Sequence, residues 1–126
     1  MKKIIALVLI TIVLISCKSK EEKATTAQKK ETQLVITPIE HGTAAFTFGD
    51  LTVYIDPTGS AEAFANFSAP NYVFITDIHG DHLSLKTLES LDLSKTTIVA
   101  PKAVADKLPT GIAKEIIMMK TGAKKN

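Results

Sequence analysis

The stretch "YVFITDIHGDHLS", residues 72–84, joins an apolar run to a loop rich in groups that bind metals. The run "YVFIT" is continuously apolar, which predicts a strand at residues 72–76 that is buried on both faces. The loop after it places four side chains with metal-binding atoms within six positions: Asp77, His79, Asp81 and His82. A rigid strand can hold such side chains in fixed positions, so this stretch predicts a metal-dependent catalytic loop.

The mixture of imidazole and carboxylate suits zinc, or manganese or iron in a site richer in oxygen. A bound divalent ion lowers the pKa of a coordinated water toward neutrality, which supplies hydroxide for hydrolysis. The alternative is a surface turn in which Asp and His side chains cap the helix that follows. Four such residues in six positions favour the metal site.

The rest of the pattern predicts an α/β fold with a mixed sheet, because a group of strands precedes an alternation of strand and helix. Gly49-Asp50 predicts a tight hairpin turn, and Pro38 predicts an edge strand or its end. Ser84 is a candidate N-cap. The predicted strands lie at residues 34–39, 44–48, 51–55, 72–76, 97–100 and 115–119, and the predicted helices at 83–91 and 101–108, with a possible helical turn in the loop at 58–71.

The first seventeen residues resemble a bacterial lipoprotein signal. Lys2 and Lys3 precede an apolar run at 4–15, which is too short to span a bilayer but suits a signal peptide. Ser16-Cys17 then matches a lipobox, with Cys17 as the lipidated residue; the alternative is an ordinary signal peptide or uncleaved anchor. Lipidation predicts a protein attached to a membrane of the bacterial cell envelope, facing the periplasm or the exterior.

Residues 18–33 contain no large apolar side chain, which predicts a disordered polar tether; a charged helix is the alternative. The folded domain is then expected at residues 34–126. Cys17 is the single cysteine, so no disulfide forms within the chain. The net charge is +2 and the lysines occur in short polar runs, so the sequence predicts no nucleic-acid partner.

The loop "TDIHGDH" resembles the His-x-His-x-Asp-His signature of the metallo-β-lactamase fold, with Asp77 in the place of the first histidine. Upstream, "HGTAAFTFGDLTVYIDP" at residues 41–57 is similar to the opening of the ascorbate-6-phosphate-lactonase-like branch of metal-dependent hydrolases. In that branch a Gly-His-Ala-type segment leads into a hairpin that ends in Asp-Pro. The matching stretch covers about residues 34–108.

The resemblance implies a role for each matching residue. His79 would bind one metal together with Asp77, and Asp81 and His82 would bind a second, with Asp81 also a general base on the bridging water. Asp56 matches an aspartate that supports the loop from behind the ligands, and the alternative is a turn-forming Asp before a proline. His41 matches a site-lining histidine, and the alternative is a surface loop histidine. Zinc is the expected ion, although Asp77 makes the site harder and favours manganese or iron more than a histidine would.

The family fold is a four-layer αβ/βα sandwich of two halves, and its second half supplies a further histidine and a bridging aspartate. This sequence has no histidine after His82, and its later acidic residues form no recognisable ligand motif: Glu89, Asp92, Asp106 and Glu115. The chain therefore resembles the N-terminal half, with helices on one face of the sheet and the other face uncovered. A truncated gene product, a pairing of two copies and a degenerate binding protein each account for this.

Three functions follow as expectations. The first is a membrane-tethered, metal-dependent hydrolase that cleaves an ester, lactone or phosphoester bond of a small molecule. The second is a non-catalytic metal-binding or interaction lipoprotein with a degenerate site. The third is a purely structural lipoprotein, in which the four loop residues could be replaced without loss.

Overall fold

The computed structural model describes residues 32–125. The predicted signal peptide, Cys17 and all but the last two residues of the predicted tether lie outside this range. The described chain forms one six-stranded sheet whose strands lie side by side in chain order. The strands are β1 (Leu34–Glu40), β2 (Thr43–Phe48), β3 (Leu51–Ile55), β4 (Tyr72–Phe74), β5 (Thr97–Ala100) and β6 (Glu115–Met118).

The first three strands form an antiparallel meander. β2 and β3 are joined by the two-residue turn Gly49-Asp50, as predicted, and Gly49 takes a φ of 61° that glycine adopts without a steric penalty. β1 is an edge strand, and its pairing with β2 shifts register between Pro38 and Glu40. The expectation for Pro38 is confirmed, because proline cannot donate to a ladder and is tolerated at edges and bulges.

The last four strands are parallel, so each pair needs a crossover. The crossovers contain a short 3₁₀ turn (Ala61–Phe64) and two helices, α1 (Leu85–Ser90) and α2 (Lys102–Ala105). Ser84 caps α1 as predicted, because its hydroxyl accepts a hydrogen bond from the Thr87 amide. Both helices are shorter than predicted: residues 79–83 form a turn, in which the amides of His82 and Leu83 both donate to the His79 carbonyl, and α2 ends at Ala105.

The hydrophobic core lies on one face of the sheet. Tyr54, Val73 and Ile98 face it from three adjacent strands and are almost fully buried. Leu88 of α1 and Val104 of α2 belong to the same cluster, so both helices pack on this face. The structure is therefore an α/β fold with a mixed sheet and helices on one face, as predicted. Within the described residues, no helix is long and apolar enough to cross a bilayer.

The opposite face of the sheet is not covered by the two described helices, and one prediction about it was wrong. Residues 72–76 were expected to be buried on both faces, but Tyr72 and Phe74 are 41% and 37% exposed, while Val73 between them is fully buried. The reason is the side-chain alternation of a strand: every second residue points away from the helices. The regular strand also ends at Phe74, two residues earlier than predicted.

Candidate metal centre

Two adjacent parallel strands bring the candidate residues together. β3 ends at Ile55 and is followed by Asp56, and β4 ends at Phe74, shortly before the loop. The Asp56 amide donates to the Phe74 carbonyl at 2.8 Å, which joins the two strand ends. Ligand sites of open α/β sheets form at the carboxyl ends of parallel strands, and the loop occupies such an edge.

Asp56 lies beneath the loop and is only 3% exposed. Its carboxylate accepts hydrogen bonds from the Thr76 amide at 2.7 Å and from the Thr76 hydroxyl at 2.7 Å. The same carboxylate contacts His82 Nδ1 at 2.9 Å. The Asp56 backbone has a φ of 43°, in the left-handed region that Asp tolerates better than most residues. Its side chain thus ties the start of the loop to the histidine at its end.

Two buried threonines hold Asp56 in this conformation. The Thr43 hydroxyl donates to the Asp56 carbonyl at 2.5 Å and shares a hydrogen bond of 2.8 Å with the Thr58 hydroxyl. Sequence reasoning missed Thr43, Thr58 and Thr76 as contributors to the site. The available signal was position: Thr76 stands between a buried strand and the loop, and Thr58 follows Asp56-Pro57.

His82 is oriented by this network. Its Nδ1 contacts the Asp56 carboxylate and lies 3.1 Å from the Thr76 hydroxyl. The hydrogen bond to Asp56 raises the pKa of His82, and the negative charges of Asp56, Asp81 and Asp77 raise it further, against desolvation. In the neutral ring a proton on Nδ1 leaves the lone pair on Nε2, which is the atom available to a metal.

His79 and Asp77 form a second pair within the loop itself. His79 Nδ1 lies 2.8 Å from Asp77 Oδ2, and the other Asp77 oxygen accepts from the Ile78 amide at 2.6 Å. The hydrogen bond from His79 lowers the pKa of Asp77. Both side chains are open to solvent, His79 at 73% and Asp77 at 48%. The Asp77 carboxylate is therefore engaged with His79, its expected co-ligand.

The imidazole and carboxylate groups of the loop have the chemistry that a divalent ion requires, and some of them also have the required spacing. Among residues 32–125, no group of three or more His, Cys, Asp or Glu side chains is already gathered around one point. His82 Nε2 and Asp81 Oδ2 are 3.6 Å apart. Two tetrahedral zinc ligands, each about 2.1 Å from the ion, are about 3.4 Å apart, so this pair matches the bite of one ion. His79 keeps its Nε2 as a further nitrogen donor.

His41 lies at the turn between β1 and β2, where it is exposed and has a φ of 46°. The turn itself borders the site: a Cβ placed on Gly42 would lie 3.8 Å from the His82 ring and 3.9 Å from the Asp56 carboxylate. The turn thus lies beside the loop as the resemblance implies, and a site-lining role for His41 itself stays a prediction.

A solved structure has a fold similar to that of this chain. A protein described as "Putative metal-dependent hydrolase from Parabacteroides distasonis ATCC 8503" aligns with a TM-score of 0.59 and 29% sequence identity. The resemblance to the metal-dependent hydrolases is confirmed. The alignment covers 71% of this chain and 39% of the solved one, so the chain spans well under half of that protein, as expected for half of a metallo-β-lactamase-like domain. No family model matches the chain, and no curated protein matches it significantly.

Proposed function

We propose that this chain is a metal-dependent hydrolase whose centre is the loop at residues 77–82. The observation that carries the proposal is the His82–Asp81 pair, whose Nε2 and Oδ2 atoms are separated by a distance suited to one ion. The likeness to a described metal-dependent hydrolase supports the same class of chemistry. His82 and Asp81 would hold the ion, with His79 and Asp77 as the further candidates.

The chain's own residues would do three things around the ion. Asp56 keeps the proton of His82 on Nδ1 and so directs the Nε2 lone pair into the site. Thr76 fixes Asp56 through two hydrogen bonds, so the orientation of the imidazole is set by the sheet. Asp81 is 61% exposed and can accept a proton from an attacking water. A divalent ion, when bound, would supply Lewis acidity and a water of lowered pKa.

The substrate class in this proposal is a small molecule with an ester, lactone or phosphoester bond. The ion is zinc by donor chemistry, with manganese or iron as the alternatives for a carboxylate-rich site. We also propose attachment to the bacterial cell envelope through a lipid on Cys17, on the pattern of residues 1–17. Incorporation of labelled fatty acid into the wild-type chain but not into Cys17→Ser would support the anchor.

Hydrolysis by the full chain tests the proposal. The purified protein, stripped with a chelator and reloaded with zinc or manganese, is assayed on a generic lactone and a generic phosphodiester. We expect turnover that falls at least 100-fold in His82→Ala and in His79→Ala. Asp92→Ala is the matched control, because Asp92 is another carboxylate in a local hydrogen-bonded turn and lies outside the loop. Equal rates in wild type and both histidine variants would contradict the proposal.

A second function is favoured by the incomplete gathering of ligands in the described residues. On this alternative the chain binds a metal ion without hydrolysing a substrate. Calorimetric titration with zinc distinguishes the two: binding that is lost in His82→Ala, with no turnover on either substrate, would favour the binding protein. A chain that binds no ion would exclude both.

A further inference from the structure

A buried hydroxyl group lies next to the metal loop and has no part in the contacts described above. Thr87 belongs to α1, next to the core residue Leu88, and is only 1% exposed. A buried hydroxyl is costly unless it is hydrogen-bonded, and valine would fill the same space without that cost. The Thr87 hydroxyl donates to the Gly59 carbonyl at 2.6 Å, across 28 positions of the chain. It therefore links the helix to the segment that follows β3.

On the helix side, this link reaches the end of the metal loop. Ser84 is the N-cap of α1 and stands two positions after His82. Its hydroxyl shares a hydrogen bond of 2.8 Å with the Thr87 hydroxyl and accepts another from the Thr87 amide at 3.3 Å. The turn at residues 79–83 runs directly into this cap, so Thr87 sets the place where the loop ends.

On the other side, the link reaches Asp56. Gly59 follows Thr58, whose hydroxyl shares a hydrogen bond of 2.8 Å with the Thr43 hydroxyl. Thr43 in turn donates to the Asp56 carbonyl. Gly59 has a φ of 82°, and the Glu40 carboxylate occupies the space that a side chain at this position would need. The carbonyl that accepts from α1 is therefore held in place close to Asp56.

The end of the loop and the segment after β3 thus touch at two points. One is the contact of 2.9 Å between the Asp56 carboxylate and His82 Nδ1, and the other is the hydrogen bond from Thr87 to Gly59. The His82 side chain is 31% exposed, so water competes with the first contact, whereas the Thr87 hydroxyl is buried. Two points of attachment hold the imidazole in one orientation better than one point does.

We propose that Thr87 is a positioning residue of the metal centre, which holds the His82 imidazole against Asp56 through the start of α1. The inference rests on the proposed metal-binding role of the loop. Without the Thr87 hydroxyl, His82 is attached through Asp56 alone, and its imidazole moves more freely with the loop. Zinc affinity should fall about 10-fold, at the lower end of the usual effect of losing a supporting contact.

A second buried threonine provides a matched control. Thr96 is fully buried, and its hydroxyl donates to the Pro70 carbonyl at 2.6 Å, across 26 positions of the chain. It precedes β5 and so lies at the amino ends of the parallel strands, away from the loop at their carboxyl ends. Thr87→Val and Thr96→Val therefore each remove a hydrogen bond from a buried hydroxyl to a carbonyl, and only the first lies next to the metal loop.

The experiment is calorimetric titration of the full chain with zinc in mild detergent, with urea denaturation of the metal-free protein alongside. Both valine variants should lower the urea midpoint by similar amounts. Only Thr87→Val should weaken zinc binding, by about 10-fold, whereas Thr87→Ser keeps the hydroxyl and should bind within about twofold of the wild type. A general loss of stability does not produce this pattern, because Thr96→Val carries the same loss.

Ser84→Gly replaces Thr87→Val in the test if that variant does not fold. Glycine is tolerated at an N-cap but removes the hydroxyl that Thr87 contacts, so zinc affinity should again fall. If the wild type binds zinc and the folded variant binds it equally tightly, the inference is overturned and the proposed metal centre stands. Equal weakening by Thr96→Val or by Thr87→Ser would overturn the inference as well. A wild type that binds no zinc would overturn the proposed function and this inference with it.

Discussion

The two loop histidines make the same contact in different settings. His82 Nδ1 lies 2.9 Å from Asp56, which is 26 positions away in the chain, and His79 Nδ1 lies 2.8 Å from Asp77, two positions away. The Asp56 side chain is 4% exposed and the Asp77 side chain 48%. The Asp56 carboxylate is held by contacts to a neighbouring strand end, and the Asp77 carboxylate only by contacts within its own loop. The two contacts therefore have nearly the same length but different roles. The Asp56–His82 contact links distant parts of the fold, whereas the Asp77–His79 contact is local and is screened by water.

The largest difference between the two carboxylates is expected in stability. Asp56→Ala removes the acceptor of both Thr76 hydrogen bonds and places alanine in left-handed backbone, which should lower the free energy of unfolding by about 2–4 kcal/mol. Asp77→Ala should leave that free energy nearly unchanged, because its partners reach solvent. Urea denaturation of the metal-free chain measures both.

Asp92→Ala is the control for the loss of an exposed carboxylate, since its hydrogen bonds to Ser94 are also local. If Asp56→Ala and Asp77→Ala shifted the urea midpoint of unfolding equally, the distinction between His82, held by the sheet, and His79, held by its own loop, would be wrong.

The next effect concerns metal affinity rather than stability. Asp56→Asn keeps one carbonyl oxygen and tolerates left-handed backbone, so the fold should survive it. Its amide would donate to His82 Nδ1 and move the ring proton to Nε2, the atom proposed to bind the ion. We expect zinc affinity to fall about 10–100-fold, which is the usual cost of losing such a supporting partner.

Calorimetric titration with zinc checks this, with Asp92→Asn as the matched carboxylate-to-amide control. If the Asp56→Asn variant is folded and binds zinc as tightly as the wild type, the contact between Asp56 and His82 does not contribute to metal binding.

The smallest effect is the titration of His82. Asp56 raises its pKa above the usual 6.5, so stabilisation by the charged pair is complete below pH 6.5 and is lost as the pH rises through the raised pKa. NMR of the metal-free chain should show the His82 imidazole titrating at higher pH in wild type than in Asp56→Asn. Coincident titration curves would show that the carboxylate does not act on the ring.

The sequence predicted the parts of this molecule that depend on local patterns. The hairpin at Gly49-Asp50, the cap at Ser84 and the strand at Thr97–Ala100 follow from turn chemistry, capping and apolar runs. The metal-binding role of the loop was predicted from the density of donors in one segment, and it stays a prediction. The exposure of the sheet face opposite the helices was anticipated from the resemblance to half a sandwich. Residues 72–76 were nevertheless predicted to be buried on both faces, because an apolar run in a sequence does not show which of its faces another element covers.

The contacts that organise the site were harder to predict because they join distant segments. Thr43 was expected just before a strand and Thr76 at the end of one, and each acquires its role only when β2, β3 and β4 lie side by side. The exposure of Asp77 and its pairing with His79 depend on the course of the loop, which a motif does not specify.

The order of the strands across the sheet has a consequence for how the chain folds. Every strand pairs with its neighbours in the chain, so the sheet can grow one strand at a time as synthesis proceeds. Asp56 and His82 are both synthesised before β5 and β6, so the contact between them involves only segments that leave the ribosome ahead of the last two strands.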